Sequence, residues 1–125
     1  MAKFMSAEFL GSLVSALSAD TRWTESIRGI KTSMQMTVTD AGASFLLTVD
    51  QGKTAVQPAP QGASPEFVFE GTYDAWSRVA KGEMDMQSAV LKGQLRFKGS
   101  ITKILMYRDR FMRIADVMKE VPKEY

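Results

Sequence analysis

Residues 31–57 read KTSMQMTVTDAGASFLLTVDQGKTAVQ, and their two-residue period decides the fold class. Met34, Met36 and Val38 fall on one side of an extended chain and Thr37 and Thr39 on the other, because successive side chains of a strand point to opposite faces. Phe45, Leu47 and Val49 repeat the pattern after the turn residues Asp40, Ala41 and Gly42. A weaker third strand over residues 53–57 follows Asp50, Gln51 and Gly52. Connections this short join antiparallel neighbours.

Working outward, the spacing predicts a helix over residues 6–18, with Phe9, Leu10, Leu13, Val14 and Leu17 on one side and Ser6 and Glu8 near its start. Asp20 and Thr21 read as a cap, and residues 23–30 as a short helical or irregular link. On the other side, residues 58–65 form a loop of Pro, Gly, Ser and Gln. Phe67 and Phe69 mark a fourth strand, Thr72 caps a helix over 73–80, and Gly82 stops it. A short helix over 86–91 precedes a fifth strand carrying Leu95 and Phe97. Residues 100–119 read as one long helix, with Ile104, Phe111, Met112, Ala115 and Met118 inward and Pro122 ending it. The expectation is an α+β fold: a five-stranded, mostly antiparallel sheet covered by helices, one domain over residues 1–125, with room for a cavity between the layers.

Composition narrows the chemistry. Apolar residues make up 45% and charged residues 24% of the 125, an ordinary balance for a globular protein. The absence of cysteine removes disulfides, thiolate nucleophiles and zinc–cysteine clusters; the absence of histidine removes the commonest general base. Binding is therefore expected rather than catalysis, with no catalytic residue, metal or cofactor. Residues 1–95 carry 8 Lys/Arg against 10 Asp/Glu, whereas residues 96–125 carry 8 against 4. A basic end suits an anionic partner, but no strand pairs aromatic with basic residues as RNA-binding strands do, so nucleic acid is not expected. Residues 1–10, with Lys3 and Glu8, show no apolar signal core, and no apolar run reaches membrane-span length; the cytoplasm is the expected compartment.

Three glycines, Gly82, Gly93 and Gly99, match neither of the common phosphate-binding loops and serve as element ends. Glu83 and Asp85 lack the further oxygen ligands calcium needs, and read as a cap for the helix that follows. Lys103, Arg110 and Arg113 fall near one face of the last helix, opposite Ile104, Phe111 and Met118. That pattern describes either a basic amphipathic helix, a lid over the cavity, or an ordinary packed helix.

The stretch Gly82-Glu83-Met84-Asp85-Met86-Gln87-Ser88-Ala89, followed by Gly93-Gln94-Leu95-Arg96-Phe97-Lys98-Gly99, resembles the sterol carrier protein 2 family. There the matching region reads Gly-Lys-x-Asn/Asp-Pro-Gln-x-Ala and then Gly-Lys-Leu-x-Ile/Val-x-Gly. The likeness extends over about residues 5–107, with the paired hairpins and Trp76 in the same order. Met86 stands where proline is common, Gln94 where lysine is common, and the helix after Ile101 is longer and more basic than in small animal members.

The resemblance implies an elongated apolar tunnel holding a fatty acid, acyl-CoA, sterol or similar lipid, with no catalytic group. It implies ligand contacts from Met34, Met36, Phe45 and Leu47 on the sheet. It adds Trp76, Met84, Met86 and Val90 from the middle helices, and Ile104, Leu105, Met106 and Phe111 from the last. Nine methionines suit a wall that adapts to ligands of different shape. Arg22 and Arg28 are the candidates for a ligand head group. The alternative is an accessory subunit presenting an acyl intermediate or isoprenoid quinone precursor to a partner enzyme. A small apolar ligand is thus the expected partner, with transient membrane contact or a partner enzyme left open.

Overall fold

The structure, a computed structural model, describes residues 3–125; Met1 and Ala2, where the segment read for a signal core begins, lie outside the described residues. Two helices, α1 (Ala7–Ser18) and α2 (Thr21–Ser26), precede the strands β1 (Thr32–Val38), β2 (Ala43–Asp50), β3 (Lys53–Pro58) and β4 (Phe67–Gly71). Then come α3 (Tyr73–Ala80), α4 (Met86–Leu91), β5 (Arg96–Lys98), α5 (Ile101–Met106) and α6 (Arg108–Glu120). Five helix starts are capped by a Ser, Thr or Asp oxygen that accepts the backbone N–H three residues on: Ser6, Asp20, Thr72, Asp85 and Ser100.

The sheet order is β3-β2-β1-β4-β5. β1, β2 and β3 form the expected antiparallel ribbon, and β5 runs antiparallel to β4. The central β1–β4 pair is parallel, with Met34 beside Phe67 and Met36 beside Phe69. Parallel neighbours need a long crossover, and here β2, β3 and the loop after them supply it. The β2–β3 turn is two residues long, with Gln51 at φ 51° and Gly52 at φ 77°. Positive φ at both positions is the hairpin geometry whose twist matches the flanking strands.

One sheet face carries Met34, Met36, Val38, Leu47, Val49, Phe67 and Phe69, and the helices bury it with Phe9, Leu13, Leu17, Ile27, Ile114 and Met118. The opposite face is polar: Thr37 and Ser44 share a 2.6 Å hydroxyl hydrogen bond, and Gln35 donates to both. Gly71 sits where a side chain has no room, because a Cβ there would run into Leu95. Trp76 is fully buried and donates its indole N–H to the Thr37 carbonyl at 2.9 Å; Trp23 donates to Thr54 Oγ1 at 2.9 Å. Each large ring thus satisfies its one polar atom.

Asp20 caps a short helix, α2, which covers the first part of the link read over residues 23–30. One expectation needs correction: residues 100–119 are not one helix, because the chain breaks at Tyr107, separating α5 from α6. At that break the Tyr107 ring packs edge-on against Phe67 at 5.7 Å. α6 then reaches every other helix and buries Phe111, Ile114, Val117 and Met118. Lys123 closes its end by donating to the Met118, Lys119 and Val121 carbonyls.

Candidate functional site: an apolar cavity beneath helix α5

A half-open cavity of about 110 Å³ lies between the β4–β5 edge and α4, α5 and α6. Phe69 and Phe97 form its floor, with ring centroids 5.2 Å apart. α4 contributes Met86, Val90 and Leu91; α5 contributes Ile101, Ile104 and Leu105; α6 contributes Phe111 and Met112. Gln87 and Arg108 are its two polar lining residues. An amide and a guanidinium can orient an anionic or carbonyl head group by hydrogen bonding, while the rest of the wall accepts a hydrocarbon.

A second, smaller space of about 20 Å³, the inner void, lies among Trp23, Ile27, Met34, Leu47, Val49, Phe67 and Ile114. Phe111 lines both spaces. Its ring stands edge-on to Phe67 at 5.2 Å and to Phe69 at 5.3 Å, so the apolar space is divided in two by one aromatic ring. Arg110 lies beside the inner void, its Nε donating to the Ser26 carbonyl at 2.8 Å and its guanidinium 5.2 Å from the Tyr107 centroid.

Of the residues singled out in the sequence, Met86, Val90, Ile104, Leu105 and Phe111 meet at the outer cavity. Met34 and Leu47 meet Phe111 at the inner void. Met36, Phe45 and Trp76 are packed into the core, Met84 is half-buried against it, and none of the four lines either space. Met106 is 66% exposed and lines neither space, although its neighbours Ile104 and Leu105 face the outer cavity. Arg22 lies in a separate open, polar cleft with Ser26, Asp109, Met112, Arg113 and Asp116, and Arg28 is exposed beside neither apolar space.

Several cavity residues were not anticipated: Phe69, Gln87, Leu91, Phe97, Ile101, Arg108 and Met112. Phe69 and Phe97 could have been found, since they occupy the inward positions of strands already read. Leu91 and Ile101 flank glycine-marked element ends and carry no periodic signal of their own.

The charges near the site are mostly engaged. Lys103 donates to Glu66 at 2.6 Å, and that hydrogen bond, with a second from Thr32, holds the Glu66 carboxyl below the usual carboxylate range. Lys98 lies 3.6 Å from Glu70. Arg113 pairs with Asp20 and Arg110 with a backbone carbonyl, so the basic face expected along residues 103–113 is a set of tertiary contacts and not a free stripe. Among the described residues no helix is long and apolar enough to cross a membrane.

Comparison with known proteins gives one family. The model of the SCP-2 sterol transfer family matches residues 14–111. No curated protein matches the chain significantly. Among solved structures, the fold is similar to a crystal structure of sterol carrier protein 2, with TM-score 0.84 and 19% identity over 96% of this chain and 100% of that one. It is also similar to a conserved hypothetical protein, possibly a sterol carrier protein, from Thermus thermophilus, with TM-score 0.82 and 16% identity over 99% and 93%. A third likeness, TM-score 0.65 and 13% identity over 90% and 93%, is to a ubiquinone synthesis protein named UbiJ-SCP2.

Proposed function

The chain belongs to the SCP-2 sterol transfer family, and from that premise we propose that residues 1–125 act as one lipid-binding unit that carries a single apolar chain without catalysis. Family membership implies lipid binding or transfer; the class of ligand, a fatty acid, acyl-CoA, sterol or similar lipid, is our reading. The observation that carries it is the half-open cavity walled by hydrocarbon and aromatic side chains, with Gln87 and Arg108 as its polar lining. Removing hydrocarbon from water contributes about 0.8 kcal/mol per CH₂, which is driving force enough without any special chemistry.

At about 110 Å³ the outer cavity is smaller than the roughly 300–1,000 Å³ usual for ligand pockets. A long chain therefore has to swing the Phe111 ring aside and join the outer cavity to the inner void, making one elongated tunnel. In this reading Arg108 meets the head group at the mouth and the tail runs towards Met34 and Leu47.

A second reading has support from the likeness to UbiJ-SCP2, a ubiquinone synthesis protein: an accessory subunit presenting an isoprenoid quinone precursor or acyl intermediate to a partner enzyme. Mass spectrometry of lipids extracted from purified protein separates the two. A stoichiometric apolar ligand supports carriage. Protein that is empty, fails to take up fluorescent fatty acid and co-purifies with an enzyme overturns it in favour of the second.

A further inference from the structure

Helix α5 walls the outer cavity with Ile101, Ile104 and Leu105, yet little fastens it there. It buries none of its six residues, and Ile104 alone packs, half-buried, against the core. The other helical walls differ: α4 buries Met86 and Ala89, and α6 buries four side chains, Phe111 among them. A short helix without a buried face is held by its ends and by the side chains that reach across from it.

Both ends are breaks in the backbone. Gly99, one residue before the Ser100 cap, has φ 143°, and a Cβ there would lie 2.9 Å from the Glu66 carbonyl oxygen. At the other end α5 stops at Tyr107, before α6 begins. Among the described residues, two side-chain hydrogen bonds tie α5 to other elements. Arg110 reaches the Met106 carbonyl at a long 3.4 Å, beside the Tyr107 break itself. Lys103, in mid-helix, donates to Glu66 Oε2 at 2.6 Å. Glu66 is a fixed anchor, since its Oε1 accepts the Thr32 hydroxyl at 2.6 Å and its N–H donates to Ser33 Oγ at 3.0 Å. One residue therefore backs Gly99 with its carbonyl and grips Lys103 with its carboxylate.

We infer that α5 is a gate on the outer cavity, swinging about Gly99 and Tyr107 and latched shut by the Lys103–Glu66 pair. The inference deepens the carrier reading and rests on it for the ligand. A lipid chain needs more room than the outer cavity offers, so a wall has to move to admit it, and α5 is the wall with nothing buried. Moving Phe111 joins the two apolar spaces from within, whereas lifting α5 opens them to the outside. Hydrocarbon in the cavity then gives Ile101 and Leu105, both exposed, an apolar surface to close upon. Half of the Lys103 side chain is exposed, so the latch is weak enough to break and re-form as ligands pass.

Two measurements on the full chain test the gate. Amide hydrogen exchange followed by NMR needs no ligand. The amides of residues 104–107 are expected to exchange before those of residues 114–118 in α6. Lys103→Met should speed the first group about two- to fivefold and leave the second group and the melting temperature unchanged. The second measurement exploits the absence of cysteine. Glu66→Cys and Lys103→Cys in one chain, joined by a short bis-maleimide, hold the gate shut. The cross-linked protein is expected to take up and release a fluorescent fatty acid at least about tenfold more slowly than the same variant before cross-linking. Equal exchange in wild type and Lys103→Met, or faster exchange throughout the protein, overturns the inference. So does uptake that is as fast with the cross-link as without it. Protein that takes up no fatty acid in either form is a failure of the carrier reading, and the exchange rates then decide on their own whether α5 opens.

Discussion

Asp20 and Arg113, ninety-three positions apart, are joined by two hydrogen bonds from the guanidinium to the carboxylate, one of them 3.0 Å from Nε to Oδ1. The same Oδ1 accepts the Trp23 N–H at 2.8 Å, so one carboxylate both starts α2 and fastens it to α6. The Arg113 hydrogen bond, then the Trp23 amide, hold its carboxyl down to about 2 from an ordinary 3.8.

Asp20→Asn is therefore expected to lower the melting temperature at neutral pH, since asparagine keeps the cap but loses the charge on Arg113. A depressed carboxylate pKa contributes stability that is present above the unfolded value and lost as pH falls through the folded one. The gap between wild type and variant should thus close between about pH 4 and about pH 2. Thermal melts followed by circular dichroism across that range check it; a gap independent of pH would show that the charge contributes nothing.

Gln51 occupies a left-handed backbone position that asparagine tolerates better than glutamine. Gln51→Asn is expected to stabilise the β2–β3 hairpin by on the order of 0.5 kcal/mol, visible as a small rise in melting temperature. A fall would mean that the turn is held by something other than backbone preference.

Val90 is half-buried on the cavity wall, whose lining is hydrocarbon and aromatic apart from Gln87 and Arg108. Val90→Asp should cost at least about tenfold in fluorescent fatty-acid affinity while the protein still folds, because an ionised group there has to be dehydrated when the ligand enters. Unchanged affinity would move the ligand away from this cavity.

Phe111 divides the apolar space, so shrinking it should change which ligands fit. Phe111→Leu is expected to cost about 1–3 kcal/mol of stability and to shift the preferred fatty-acid chain towards longer members of a homologous series. A displacement assay over that series decides it. An unchanged preference would show that ligands stop at the ring in the native protein as well.

Much of the architecture was legible because local chemistry repeats at local spacing. The alternation of Met34, Met36 and Val38, the caps at Thr72 and Asp85, and the stops at Gly82 and Gly93 each act within a few residues. The parallel β1–β4 pairing was legible only as a possibility of the mixed element order, since nothing in β1 specifies which strand will lie beside it. The break at Tyr107 was hidden because Ile104 and Phe111 continue one helical stripe in the sequence although they belong to two helices. Arg113 looked like part of a solvated basic face, because its partner lies at the far end of the chain. The cavity was legible in part. Val90, Ile104 and Phe111 were reached through the family likeness, whereas Met36 and Trp76 are large apolar residues whose sequence signature is the same whether they face a ligand or a packed core.

The two ends of the described chain are stitched together: the Phe4 amide donates to the Glu124 carbonyl at 2.8 Å, and Lys3 bridges Glu124 in parallel fashion. Topologically the backbone is almost a closed ring, and its starting point is incidental to its shape. A permuted chain, with a short linker across the old ends and new ends at Gly62 in the exposed loop before β4, should reach the same fold. Its order of assembly would differ. Contacts between α1 or α2 and α6, which now close almost the whole length of the chain, would become neighbours in sequence, and the Asp20–Arg113 pair would form by closing a short loop. The parallel β1–β4 pair would move the other way, from near neighbours to opposite ends of the new chain. Because that pairing is more extensive than the packing of α1 and α2 on α6, the rearranged chain should fold no faster than its parent.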